Sequence, residues 1–272
     1  MRFTLFLAAA ATLACMACAS AQDNSKQPFG AWLSALRQEA AQQGISDTVL
    51  NEALNGVEPI DRVLELDQAQ PEVTLTLPQY LKQVLTKKML RQAREHYRDN
   101  RDLLKKIGAQ YGVQPQYIVA LWGIETHYGS NMGNTYTVGA LATLAYDGRR
   151  SDYFRGELLN ALQILQQGHI AAHDMQGSWA GAMGQCQFMP SSFLKYAVDY
   201  DGDGRKDIWH SKADVFASIA NYLHSEGWNP KKGWGTRTHP KDNFNVLLKW
   251  NRSRYFATAA GQLADSIVKG KK

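Results

Sequence analysis

A chain of 272 residues with 44% hydrophobic and 20% charged content can build one large globular domain or two closely packed subdomains, and it is too apolar to be disordered. Its three cysteines, Cys15, Cys18 and Cys186, exclude a disulfide-stapled scaffold. The net charge of +5 fits either an anionic partner or a mildly basic solvated surface, and no nucleic-acid-binding motif accompanies it.

The opening stretch, MRFTLFLAAAATLACMACASAQ, has Arg2 as a minimal positive region, an apolar centre and Ala19, Ser20 and Ala21 at its end. That order reads as a secretory signal over residues 1–21 rather than a membrane-spanning anchor, leaving a soluble body over residues 22–272. Cys15, preceded by Thr12, Leu13 and Ala14, offers the alternative of a lipid attachment site and hence a membrane-anchored form. An exported protein whose body retains Cys186 alone must be held by its core.

From Phe29 onward the pattern predicts a mainly α protein. A first helix runs through FGAWLSALRQEAAQQG and ends at Gly44, and Ser46 caps a short second one through Leu54. Residues 77–111 carry two helical patterns, one opened by Pro78 and a longer, charged one capped by Thr86 and ended by Gly112. Pro115 suits the first turn of the next helix, closed by Gly129. Further helical patterns cover residues 138–146, 152–166, 191–198, 213–226 and 254–269. No two-residue alternation is long enough for a sheet, and residues 177–187 form the longest irregular stretch.

The helix after Pro115 holds the most informative residue. Ile118, Leu121, Trp122 and Glu125 share one face, while Val119, Ala120 and Ile124 make the opposite face apolar as well. A helix apolar all round is buried, and a glutamate on it is favoured in its neutral form. Holding a carboxyl neutral near pH 7 means raising its pKa by about 2 units, on the order of 3 kcal/mol, which proteins tolerate where a proton donor is needed. The alternative is a glutamate turned to solvent at the helix end or paired with Arg149.

The second motif, GSWAGAMGQCQFMPSS over residues 177–192, combines small residues with hydrogen-bonding Ser178, Gln185 and Gln187 and the aromatic faces of Trp179 and Phe188. Its glycines allow close approach of either a substrate or another helix. Cys186 lacks a nucleophile signature and reads as a small groove or core residue. In the third motif, DYDGDGRKDIW, aspartates stand at positions 1, 3, 5 and 9 (Asp199, Asp201, Asp203, Asp207) and Gly204 at position 6. That spacing matches an EF-hand-like calcium loop, with Arg205 at the position that contributes a backbone carbonyl; the alternative is a solvated acidic turn. His210 occupies position 12 in place of the usual glutamate, so Asp214 becomes the candidate for the closing ligand. The ion would be a structural Ca2+ with no part in the chemistry.

In this order and spacing, GIETHYG, LATLAYDGRR, GSWAGAMGQCQFMPSSF, the acidic loop and NYLHSEGW resemble the B-type family of lytic murein transglycosylases, from about Phe29 to the C-terminal segment. The resemblance implies a lysozyme-like helical catalytic fold in the periplasm, or on the outer membrane if lipidated. Its partners would be peptidoglycan glycan strands and cell-wall synthesis or lysis proteins. It also implies Glu125 as the catalytic acid and base. Ser178, Gln187 and Tyr222 would lie near the scissile bond, and Tyr80, Arg149 and Arg150 would contact glycan or peptide. KWNRSRYFATA departs from the family, with Trp250 and Phe256 in place of hydroxylated rings, which leaves Tyr255 without an assigned role.

Ordinary glycoside hydrolysis uses two carboxyls. The motifs supply one, which fits the family's non-hydrolytic route to 1,6-anhydromuramyl products; Asp147 and Glu157 are the candidates for a second. The rival readings are a muramidase-type hydrolase and a catalytically silent peptidoglycan-binding protein.

Overall fold

The computed structural model describes residues 27–69, 75–147, 149–235 and 242–269, so the signal and lipid-attachment expectations lie outside the described residues. Thirteen α-helices are found among them. The first seven are α1 Phe29–Gln42, α2 Asp47–Leu54, α3 Asp61–Gln68, α4 Leu77–Val84, α5 Lys87–Asp99, α6 Arg101–Tyr111 and α7 Pro115–Thr126. The others are α8 Thr137–Asp147, α9 Ser151–Gln166, α10 Pro190–Tyr196, α11 Lys212–Ser225, α12 Asp242–Trp250 and α13 Arg254–Lys269. The strands β1, Thr135–Tyr136, and β2, Gln176–Gly177, form one short antiparallel ladder.

Most helix limits follow the punctuation expected of them. Ser46 accepts a hydrogen bond from the Val49 amide, Thr86 accepts one from Met89, and Thr76 forms a reciprocal capping box with Gln79 ahead of Pro78. Gly112 ends α6 in the left-handed region at φ 65°. The charged run after Thr86 is two helices rather than one. Asn100 breaks it with φ −111° and ψ 19°, and its side-chain amide donates to the His96 carbonyl at 2.8 Å.

α7 runs through the centre, packed by α5, α6, α11 and α13, and all of residues 117–123 are buried. Burial of each large apolar side chain is worth about 1.5–3 kcal/mol, so this helix is fixed by its surroundings rather than by propensity. The α8–α9 hairpin forms a second body of helices, joined by α2, α3 and α10. Between the two bodies lie the β1–β2 ladder and the glycine-rich stretch. The latter is ordered by bridges from Gly177 to Met183 and from Met183 to Phe188.

Candidate active site

α7 ends abruptly just past Glu125. His127 and Tyr128 both adopt positive φ, 49° and 64°, so the chain reverses and leaves Glu125 in the last turn, partly buried at the floor of a cleft. Burial pushes the Glu125 carboxyl up to about 7, while a hydrogen bond from Trp250 acts in the opposite direction. The Trp250 indole Nε1 donates to Glu125 Oε1 at 2.6 Å. Arg149, the alternative partner weighed from sequence, is engaged elsewhere.

The glycine-rich stretch is bolted to α7 by Gln185. Its Oε1 accepts from Trp122 Nε1 at 2.7 Å, its Nε2 donates to the Trp209 carbonyl at 2.7 Å, and its own carbonyl accepts from Thr126 Oγ1 at 3.1 Å. Gln185 is therefore a buried structural amide, although its residue type reads equally well as a sugar contact. Two residues on, Gln187 sits at φ 49°, and its Nε2 donates to the carbonyls of Met132 and Gly184, both at 3.0 Å. A glutamine in the left-handed region is uncommon, and here both ends of its side chain's donor group are satisfied in place. Ser178 Oγ accepts from the Ala182 amide at 3.0 Å and closes the preceding turn. Gly133 is needed where this stretch passes over β1: its φ is +89°, and a Cβ there would meet the Gly177 carbonyl oxygen at 2.1 Å. Cys186 is buried with its thiol against the Val215 carbonyl, and burial pushes its pKa well up, which suits an inert core residue.

Glu125 and Gln187 line two adjoining cavities. One, of about 430 Å³, is walled by Arg62, Val63 and Leu66 of α3 together with Asn131, Ser178 and Trp179. The other, of about 290 Å³, is walled by Phe188, Met189, Tyr222, Lys249, Trp250 and Asn251. Among the residues lining them, Glu125 is the sole carboxylate. Glu157 is a structural group at the start of α10, where its oxygens accept from the Ser191 amide and hydroxyl at 2.8 and 2.6 Å. Asp147, at the end of α8, lines neither cavity.

The structure thus brings Ser178, Gln187 and Tyr222 around Glu125. The Tyr80 and Tyr255 rings lie 5.7 Å apart at a tilt of 48°, and the Tyr80 hydroxyl pKa is raised by burial and by the Glu125 charge. Arg149 and Arg150 line neither cavity. The Arg149 guanidinium donates to the Asp67 carbonyl at 2.6 Å and pairs with its carboxylate, holding the end of α3. Arg150 lies over the rings of Tyr153 and Phe154. Sequence reasoning missed the α3 wall and the part played by Trp250. An aromatic ring at the end of the amphipathic pattern in DNFNVLLKW was the available sign.

In the acidic loop, Asp199, Asp201 and Asp203 each offer a carboxylate oxygen, and these oxygens lie within 4.8 Å of one another. Gly204, at φ +92°, makes the sharp turn between them and Arg205. Asp214 is not among these three, and the Asp201 backbone contacts it. It is fully buried, and its two oxygens accept from the amides of Tyr200 and Asp207 at 2.8 and 2.7 Å. It clasps the two arms of the loop. Asp207 Oδ1 likewise accepts from the Trp209 and His210 amides at 3.0 and 2.9 Å. The oxygen-only trio suits a hard divalent cation such as Ca2+.

This arrangement has counterparts among known proteins. The membrane-bound lytic murein transglycosylase B of Escherichia coli K12 is 36% identical over 195 residues, which are 68% of this chain and 54% of that enzyme. The chain thus spans about half the length of that curated relative. The crystal structure of SltB3 from Pseudomonas aeruginosa in complex with NAG-anhNAM-pentapeptide superposes with a TM-score of 0.86 at 36% identity, covering 89% of this chain and 80% of SltB3. The Escherichia coli lytic transglycosylase Slt35 in complex with calcium matches with a TM-score of 0.77 at 27% identity, over 92% of this chain and 95% of that one. The fold is therefore the mainly helical, lysozyme-like one of these enzymes. Residues 28–242 match the family model described as the transglycosylase SLT domain, and the chain belongs to that family.

Proposed function

We propose that the protein is an exported lytic transglycosylase that cleaves the β-1,4 bond between N-acetylmuramic acid and N-acetylglucosamine in peptidoglycan. The observation that carries this reading is the single carboxyl, Glu125, shared by two adjoining cavities and raised to about 7 by burial. A carboxyl in that range holds a proton at neutral pH and donates it to the bridging oxygen as the glucosamine departs. The resulting carboxylate takes the proton from the muramyl C6 hydroxyl, whose oxygen bonds to the anomeric carbon and closes a 1,6-anhydro ring. No water is consumed, and the missing second carboxylate is replaced by help from the substrate's own acetamido group. Aromatic faces of Trp179 and Tyr222 and the hydrogen-bonding groups of Asn131 and Gln187 suit sugar rings on either side of Glu125. No helix among the described residues is long and apolar enough to cross a membrane, so the periplasmic or membrane-tethered location rests on the leader over residues 1–21.

Digestion of purified sacculi followed by mass spectrometry tests this. Muropeptides ending in anhydromuramic acid are expected; reducing muramyl ends would make water the nucleophile and favour a hydrolase.

Asp199, Asp201 and Asp203 would hold a structural Ca2+, which would tie the loop between α10 and α11 without touching the sugar bond. For a site of roughly millimolar Kd, 10 mM Ca2+ adds about 1.4 kcal/mol to stability. The midpoint of thermal unfolding is expected to rise by about 2–4 °C. Chelator should reverse the gain, and Asp201→Asn should abolish it. A melting curve indifferent to calcium would remove the ion from the proposal.

A further inference from the structure

Trp250 closes α12 with its ring caged against Tyr222, at 4.7 Å and 66°, and Phe188, at 5.4 Å. The cage leaves the indole few orientations, and in the observed one Nε1 lies 2.6 Å from Glu125 Oε1. Among the described residues no other side chain hydrogen-bonds Glu125. An indole N–H can donate but never accept. In a protonated carboxyl the carbonyl oxygen is the stronger acceptor and the hydroxyl oxygen the weaker. An obligate donor facing one oxygen therefore favours the tautomer in which that oxygen is the carbonyl.

We propose that Trp250 is a positioning residue that fixes the tautomer of Glu125, holding Oε1 as acceptor in both charge states and assigning the transferable proton to Oε2. This rests on the reading of Glu125 as acid and then base. The same oxygen then performs both steps: the proton leaves Oε2 for the bridging oxygen as the glycosidic C–O bond breaks, and Oε2 takes back the C6-hydroxyl proton as the new C–O bond forms. The carboxyl need not rotate between them. A tyrosine or serine in Trp250's place could either donate or accept and would leave both tautomers open.

Other titratable groups facing this carboxyl do not compete for the role. Tyr80 on α4 and the Cys186 thiol have pKa values raised by burial and by Glu125, so both stay neutral. Tyr222 on α11 is pushed up by burial. Lys249 on α12 pairs with Glu226 at 3.0 Å, and Arg62 on α3 pairs with Glu65 at 2.8 Å.

The test is a 13C NMR titration of the full-length mature protein labelled at the glutamate carboxyl carbon, with the Glu125 signal assigned by its loss in Glu125→Gln. Trp250→Phe keeps a ring in the cage and removes the donor. Because the lost bond favours the ionised form, the Glu125 pKa is expected to rise by about half a unit to one unit. On sacculi, kcat should fall roughly tenfold with KM little changed, and the alkaline limb of its pH profile should move up with the carboxyl. An unchanged Glu125 pKa in Trp250→Phe overturns the proposal. A second readout needs no folding-sensitive variant: the Trp250 indole 15N–H resonance of the wild type should shift with the Glu125 titration and lie flat in Glu125→Gln. A resonance flat in both also overturns it. If the wild type yields no anhydromuramyl product, the enzymatic reading fails, while the carboxyl and indole titrations still decide whether Trp250 holds Oε1.

Discussion

Glu125→Gln is expected to reduce turnover on sacculi by at least about 10³-fold while making the protein more stable at pH 8. The loss follows because glutamine matches the carboxyl in shape and still accepts from Trp250 but has no proton to give. The gain follows from the sign of the linkage. The folded-state carboxyl titrates at about 7, against an ordinary 4.5, so the native state binds the proton more tightly than the unfolded chain. Below about 4.5 both states are protonated and Glu125 adds no pH dependence. Between about 4.5 and 7 the unfolded chain ionises first and wild-type stability falls; above 7 the full difference persists. Its ceiling is about 3 kcal/mol, reduced because the carboxyl keeps an edge open to the cavities. Thermal unfolding across pH should show the variant melting several degrees higher at pH 8 and converging with wild type near pH 4. Equal midpoints at both pH values would mean that Glu125 is not strained in its neutral form. The same titration sets the wild-type activity profile, which should decline as pH rises through about 7.

Gln185→Ala is the second large effect, and it acts on stability first. The substitution strips the acceptor from Trp122 Nε1 and the donor from the Trp209 carbonyl in a buried setting. Two stranded polar groups at about 1–3 kcal/mol each, with the cavity left by the side chain, give about 4 kcal/mol of destabilisation. Thermal unfolding should fall by roughly 10 °C. Activity should fall too, even where the protein is folded, because the turn carrying Gln187 loses its side-chain tie to α7 and keeps only the bond from Thr126 to the residue-185 carbonyl. A variant that melts like wild type would show that this amide is not the bolt between the two segments.

These two glutamines also mark how far the sequence was legible. Gln185 and Gln187 are indistinguishable as residue types. What separates them is a left-handed backbone at Gln187 and the distant indole that captures Gln185, neither of which has a local signal. Helices α1, α2, α4, α7, α8 to α11 and α13 were readable, as was the start of α5 at Thr86, because their determinants are local. α3 was not, since its N-cap position is Ile60, which offers no side-chain cap, and α12 was not read either. The split at Asn100 was hidden because charged residues on both sides keep the helical spacing. Glu125 was legible from an apolar helix carrying one carboxyl, and its surroundings Ser178, Gln187 and Tyr222 from family resemblance. Arg149 was read as a glycan or peptide contact from its motif; its bond to Asp67, 82 residues away, was beyond any local pattern. Asp214 was read as a ligand from loop spacing alone; its burial and the two backbone amides that meet its oxygens had no local signal.

The left-handed pair His127 and Tyr128 does more than turn the chain. By ending α7 immediately after Glu125, it places the acid in the helix's last turn, where the macrodipole is negative. That field disfavours the carboxylate and is permanent: it neither titrates nor needs a neighbouring acid to sustain it. Its worth is about 0.3–1 kcal/mol, or up to roughly 0.7 of a pKa unit. The operating pH of this site is thus partly written into where a helix stops, so a change in that stop, with every groove residue intact, would retune the acid.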